Sequence, residues 1–112
     1  MHVVRILVAN EPLAYRQVIS CVFKELRPHI EVVVADPRDL NQEFSRLAPH
    51  LVVCSKLTIL VERRAPAWVE LYPEHGSQAI VQLAGEKSMF DSMDFNTLLA
   101  TLDEAERLYE SV

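Results

Sequence analysis

Leu51, Val52, Val53 and Cys54 form an unbroken apolar run, closed by Pro49 on one side and by Ser55 and Lys56 on the other. So short a run is not a helix, and with no polar alternation it has no face for water. It predicts a strand buried on both sides, the central strand of a parallel sheet. Such a strand needs parallel neighbours and covering helices, and the residues before it supply both. Residues 3–9 (VVRILVA) read as a first strand, with Ile6 to Ala9 its buried end. Asn10-Glu11-Pro12 then opens a helix, with Asn10 as the N-cap and proline in the first turn. That helix runs to Arg27, where Pro28 stops it, and Leu13, Val18, Ile19, Val22 and Leu26 form its apolar stripe. Residues 30–35 are a second strand. Asp36-Pro37 repeats the cap-and-proline signal and opens a helix over 37–48, with Leu40, Phe44 and Leu47 inward and Pro49 beyond its end. Strand, helix, strand, helix, strand with short links is the parallel α/β pattern.

The second half departs from it. Residues 57–65 read as a short helix with Leu57, Leu60 and Val61 on one side. Residues 67–72 form a fourth strand, 73–77 a turn and 78–84 a fifth strand. So short a link closes a hairpin but not a parallel crossover, so strands four and five are antiparallel neighbours. Residues 85–93 are a polar, sulfur-bearing link. Asp94 caps the last helix, which buries Phe95, Leu98, Leu99, Leu102, Ala105 and Tyr109. The expected fold is a single α/β domain over residues 1–112, with three layers, a parallel first half and a truncated set of helices.

Composition narrows the partners. A chain of 112 residues supports one core and not two. A net charge of −5, with no basic cluster beyond Arg63-Arg64, speaks against a nucleic-acid backbone as partner. No apolar run approaches the length of a membrane span. Cys21 and Cys54 lie in apolar stretches, with no CxxC and no secretory segment, which predicts a reduced, cytoplasmic setting. Cys54 beside Lys56 could serve as a thiol sensor, but its apolar neighbours read as packing. His2, His29, His50 and His75 are scattered at no metal-ligand spacing, and neither Gly76 nor Gly85 lies between the first strand and its helix. Neither a metal nor a cofactor is expected.

The stretch Ile6-Leu-Val-Ala-Asn-Glu-Pro12 with its amphipathic helix, followed by Ala48-Pro-His-Leu-Val-Val-Cys-Ser55, resembles the receiver domain of bacterial response regulators. The resemblance covers residues 3–57, and it implies a flavodoxin-like sheet of order 2-1-3-4-5. In receivers an acidic pair after the first strand holds Mg²⁺, and an aspartate ending the third strand accepts phosphate. Those places fall here on Asn10 and Glu11, and on Ser55. One carboxylate has become an amide, and a serine without an activating base is neither the nucleophile nor the third oxygen ligand that this chemistry needs. Lys87 follows the fifth strand without the proline seen after it in receivers, so no role is carried onto it. The resemblance thus implies a degenerate, non-enzymatic pseudo-receiver that signals through protein contacts. The alternative is a small-molecule or anion-binding domain using the carboxyl edge of the sheet near Asn10, Glu11, Ser55 and Lys56.

Receivers place two helices on the face opposite the first and last helices, and this chain lacks the residues for both. Trp68, Glu70 and Tyr72 of the fourth strand are expected on the face left bare, with Ile80 and Gln82 of the fifth beside them. Large rings on a bare sheet face predict burial against a second chain, either a homodimer twin or another protein; the alternative is that residues 57–65 or 85–93 fold over the patch.

Overall fold

A computed structural model describes residues 4–71 and 78–110 of the chain. Its centre is β3 (Leu51–Cys54), in which all four side chains are fully buried. β1 (Arg5–Ala9) lies beside it in parallel, and β2 (Glu31–Val34) runs parallel to β1 at the edge. β4 (Ala67–Leu71) pairs in parallel with the other side of β3. β5 (Ala79–Leu83) is antiparallel to β4, and β6 (Glu86–Phe90) is antiparallel to β5. The described residues thus form a six-stranded mixed sheet of order β2-β1-β3-β4-β5-β6.

Helices cover both faces because the parallel strands alternate apolar residues to both sides. On one face lie α1 (Leu13–Leu26) and α4 (Phe95–Glu110). Ile19 and Phe23 of α1, with Leu98, Leu99, Leu102 and Ala105 of α4, pack on Ile6, Val8, Val53, Val69 and Val81. On the other lie α2 (Leu40–Leu47), entered through a 3₁₀ turn at Pro37–Asp39, and the short α3 (Ile59–Arg64). Leu40, Phe44, Leu47 and Val61 there cover Leu7, Val52, Cys54 and Trp68. α2 stops where Ala48 takes a left-handed φ of 46°, just before Pro49.

The parallel first half and the antiparallel pairing of β4 with β5 agree with the sequence reading. Five expectations are corrected. Residues 85–93 are not a plain link, because most of them form β6. Ala84 (φ 51°) and Gly85 (φ 79°) make a two-residue turn between paired Leu83 and Glu86, and two successive positive φ values match the twist of a tight hairpin. Asn10 does not cap α1; the cap position is Pro12, with no side-chain hydrogen bond. The buried stripe of α1 is Arg16, Ile19, Ser20 and Phe23, while Leu13, Val18 and Leu26 are about half exposed. Phe95 of α4 is also largely exposed. The stripe was misplaced because Arg16 and Ser20, both polar, occupy inward positions on the same face as Ile19 and Phe23.

The fifth correction concerns the supposedly bare face. Trp68 is only 1% exposed. α3 and the strand ladder close over it, with Val61 and Ala65 buried beside it and Leu57, Leu60 and Ile80 partly buried. The Lys87 ammonium lies 5.8 Å from its ring centroid. Tyr72 and the turn at 73–77 lie outside the described residues.

Candidate functional site

The carboxyl ends of β1, β2, β3 and β4 converge on one edge of the sheet, the place where open α/β sheets hold ligands. The parallel register sets Ala9 opposite Cys54, so the residues that follow each strand also meet. The Glu11 N–H donates to Ser55 Oγ at 3.0 Å, across 44 positions of sequence. Among the described residues this is the only hydrogen bond of the Ser55 hydroxyl. The Glu11 side chain is exposed, as is that of Lys56.

Asn10 turns inward and is fully buried. Its Nδ2 donates to the Leu71 carbonyl at 3.5 Å, at the outer limit of a hydrogen bond, and its Oδ1 has no partner. The three places that the receiver resemblance marks therefore come together in space, but with an amide, one exposed carboxylate and a hydroxyl. β3 ends without a carboxylate.

Cys54 lies beneath this edge. Burial pushes its thiol up to about 12, and the nearby Glu70 carboxylate adds to the rise against a backbone N–H from Lys56. A thiol held protonated in this way is a packing group and not a nucleophile. Glu70, placed by the sequence on an interface, instead accepts from the Leu57 N–H at 2.8 Å and orders the turn into α3. Thr58 then caps α3 by accepting from the Val61 N–H, and its own hydroxyl donates to Asn41 Oδ1 on α2 at 2.7 Å.

The β2 side of the same edge carries a group that the sequence reading missed. Arg16, only 8% exposed, sends Nη1 to the Ala35 carbonyl at 3.2 Å, and its Nε has no partner. Asp36 beside it accepts from the Arg38 side chain (Nε at 3.1 Å, Nη2 at 3.2 Å) and from the Arg38 N–H at 2.9 Å. These contacts hold the Asp36 carboxyl at about 2, with a smaller contribution from the Arg16 charge. The signal for Arg16 was available in the sequence, since Arg16, Ile19 and Phe23 fall at i, i+3 and i+7. A charge on that stripe marks a buried polar contact.

Of the four histidines, His29 and His50 serve the scaffold, while His2 and His75 lie outside the described residues. His50 Nδ1 accepts from the Arg5 N–H at 3.0 Å at the opposite edge of the sheet, and His29 Nε2 meets Glu106 on α4 at 2.6 Å. Among the described residues no three His, Cys, Asp or Glu side chains gather as a metal set, and no helix is long and apolar enough to cross a membrane. No family model, no curated protein and no solved structure matches the chain.

Proposed function

We propose that this chain is a receiver-like, non-enzymatic regulatory module that acts through protein contacts and is not phosphorylated on aspartate. The strand order from β2 to β5 supports a flavodoxin-like core of order 2-1-3-4-5, to which β6 is added as an edge strand. One observation carries the reading: Asn10, Glu11 and Ser55 assemble at the carboxyl edge as receiver acid-pair and acceptor residues do, with the acids largely replaced. A phosphoacceptor there needs a carboxylate that is both nucleophile and ligand to a hard cation. The Ser55 hydroxyl is instead engaged by a backbone N–H. Incubation with acetyl phosphate and Mg²⁺, read by intact-mass spectrometry, is expected to leave the protein unmodified. A phosphoryl increment lost on mild base treatment would overturn the proposal.

The contact surface we assign to this module is the part of the sheet that α2 and α3 leave open. Register puts Ile80 opposite Met89 and Gln82 opposite Lys87, all on the Trp68 side. Met89 is 69% exposed, and Ile80 and Gln82 are half-buried. A second copy related by a two-fold axis would cover Met89 and Ile80 together. Sedimentation at tens of micromolar should show a dimer that Met89→Lys dissociates, and a wild-type monomer would sink this part of the proposal. Trp68→Lys is not a suitable test, because a charge at so buried a position would unfold the chain.

A further inference from the structure

We infer that β6 is the strand through which two copies of this chain join: β6 pairs with β6 of a second copy, antiparallel, about a two-fold axis at Ser88, so that one sheet runs through both molecules. This rests on the proposal above that a second copy covers Met89 and Ile80, and it states how that copy is held. β6 is the last strand of the sheet, and its residues from Glu86 to Met89 are exposed. The ladder on β5 fixes which backbone groups remain free. Leu83 and Glu86 flank the two-residue turn, so they are a hydrogen-bonded pair, and bonded and non-bonded pairs alternate from there. Glu86, Ser88 and Phe90 therefore bond to β5, whereas Lys87 and Met89 turn their N–H and C=O groups outward. Among the described residues nothing blunts this edge. The strand has no proline, and its register on β5 runs one to one without a bulge. Edge strands are commonly guarded by such devices or by an exposed lysine. The lysine here is held over the sheet and not across the edge, since the Lys87 ammonium lies 5.8 Å from the Trp68 ring centroid.

Symmetry and charge select the register. A two-fold axis perpendicular to the sheet keeps each face continuous across the junction. With the axis at Ser88, Lys87 lies opposite Met89 of the second copy, and Met89 opposite its Lys87. These are the residues whose backbone groups point outward, so every outward N–H and C=O of the strand finds a partner. An axis at Lys87 would set two lysines directly opposite each other, which is repulsive. An axis at Met89 would set Lys87 opposite Asp91, which lies beyond the end of β6, and the ladder would be lost there. The axis at Ser88 also sets Glu86 opposite Phe90 and no like charges opposite one another. Glu104, the α4 acid that shares a surface groove with Glu86 and Ser88, is already ion-paired with Arg107. On the Trp68 side, Met89 is 69% exposed and has Ile80 as its neighbour on β5. The methylene stem of Lys87 from the second copy covers its open flank.

The test is amide hydrogen exchange, read by NMR on the ¹⁵N-labelled full chain at concentrations where sedimentation shows dimer and where it shows monomer. The Lys87 and Met89 amides should exchange about tenfold or more slowly in the dimer, whereas the Ser88 amide, bonded within the hairpin, should change less. Met89→Pro removes an outward donor and no bond within the chain, and an edge strand tolerates proline on that side. It should be monomeric, while Met89→Leu, which keeps the N–H, should remain dimeric. A dimer in which the Lys87 and Met89 amides exchange as they do in the monomer, or a Met89→Pro protein that still dimerises, would overturn the edge pairing and leave a face-to-face contact of the two copies standing. A wild type that stays monomeric overturns both. Should Met89→Pro fail to fold, the exchange of the two wild-type amides decides alone.

Discussion

Asn10 is the residue whose replacement best tests the packing beneath the carboxyl edge. Its amide is fully buried, makes one hydrogen bond at 3.5 Å and leaves Oδ1 with nothing. A buried acceptor without a partner costs about 1–3 kcal/mol, whereas a bond at that length returns at most about 0.5 kcal/mol. Leucine has nearly the same shape and no polar atom, and swaps of similar volume cost less than about 1.5 kcal/mol in repacking. Asn10→Leu is therefore expected to stabilise the protein by about 1 kcal/mol. Over 112 residues, an unfolding entropy of about 2.1 cal/mol/K per residue makes that a rise of about 4 °C in Tm. Urea unfolding followed by the fluorescence of the single tryptophan, the buried Trp68, measures it directly. The comparator is Asn10→Asp, which puts an acid in the same dry place. Desolvation raises its folded-state pKa above that of the unfolded chain, so its stability is intact at low pH and is lost as pH rises above about 4. If Asn10→Leu instead lost more than about 1 kcal/mol, the amide would have to be fully partnered, and the reasoning from an orphaned oxygen would be refuted.

Three further outcomes follow from burial. A polar alkylating reagent should label the exposed Cys21 in the native protein and reach Cys54 only on unfolding. Because the Cys54 thiol is pushed up to about 12 while an unfolded thiol titrates near about 8.5, the chain should lose stability as pH rises from the unfolded toward the folded value. Urea midpoints in that range should fall less in Cys54→Ala. On α1, Phe23→Ala should cost about 3–5 kcal/mol, and Leu26→Ala less than about 1 kcal/mol; equal losses would restore the stripe read from sequence.

What was legible in the sequence was what packing alone determines. The run at Leu51–Cys54 and the inward set Leu40, Phe44 and Leu47 needed no knowledge of neighbours, since an apolar period of 3.6 or a closed apolar run has one economical burial. β6 was hidden for a chemical reason. Its residues, Glu86-Lys-Ser-Met-Phe90, are polar for an edge strand, and its turn is Ala84-Gly85, which lacks the Asn or Asp that announces two positive φ values. The α1 stripe failed because hydrophobicity was counted where geometry decides. Leu13, Val18 and Leu26 outscore Arg16 and Ser20 on any hydropathy scale, but Phe23 and Ile19 set the rotation of the helix, and Arg16 is carried inward with them. At the carboxyl edge the meeting of Glu11 with Ser55 was legible from strand order, whereas the inward turn of Asn10 was not.

The two halves of the chain solve the same covering problem by different means, and that difference shapes what the surface can do. A parallel strand pair demands a crossover long enough to hold a helix, so every step from β1 to β4 brings its own cover. From β4 onward the chain returns by hairpins, which bring no helix between them. α4 alone then covers β5 on its own face, through Val81 and Ala79 against Leu98, Leu102 and Ala105. The opposite face has only the six-residue α3, long enough to bury Trp68 and not long enough to reach Met89. Lys87, which would need to lie near the carboxyl edge to sense a charge there, is drawn into β6 and lies over the Trp68 ring. The same hairpin thus removes a lysine from the carboxyl edge and opens Ile80 and Met89 to a neighbour. The exposed Met89 beside half-buried Ile80 is the surface on which the proposed contact with another chain rests.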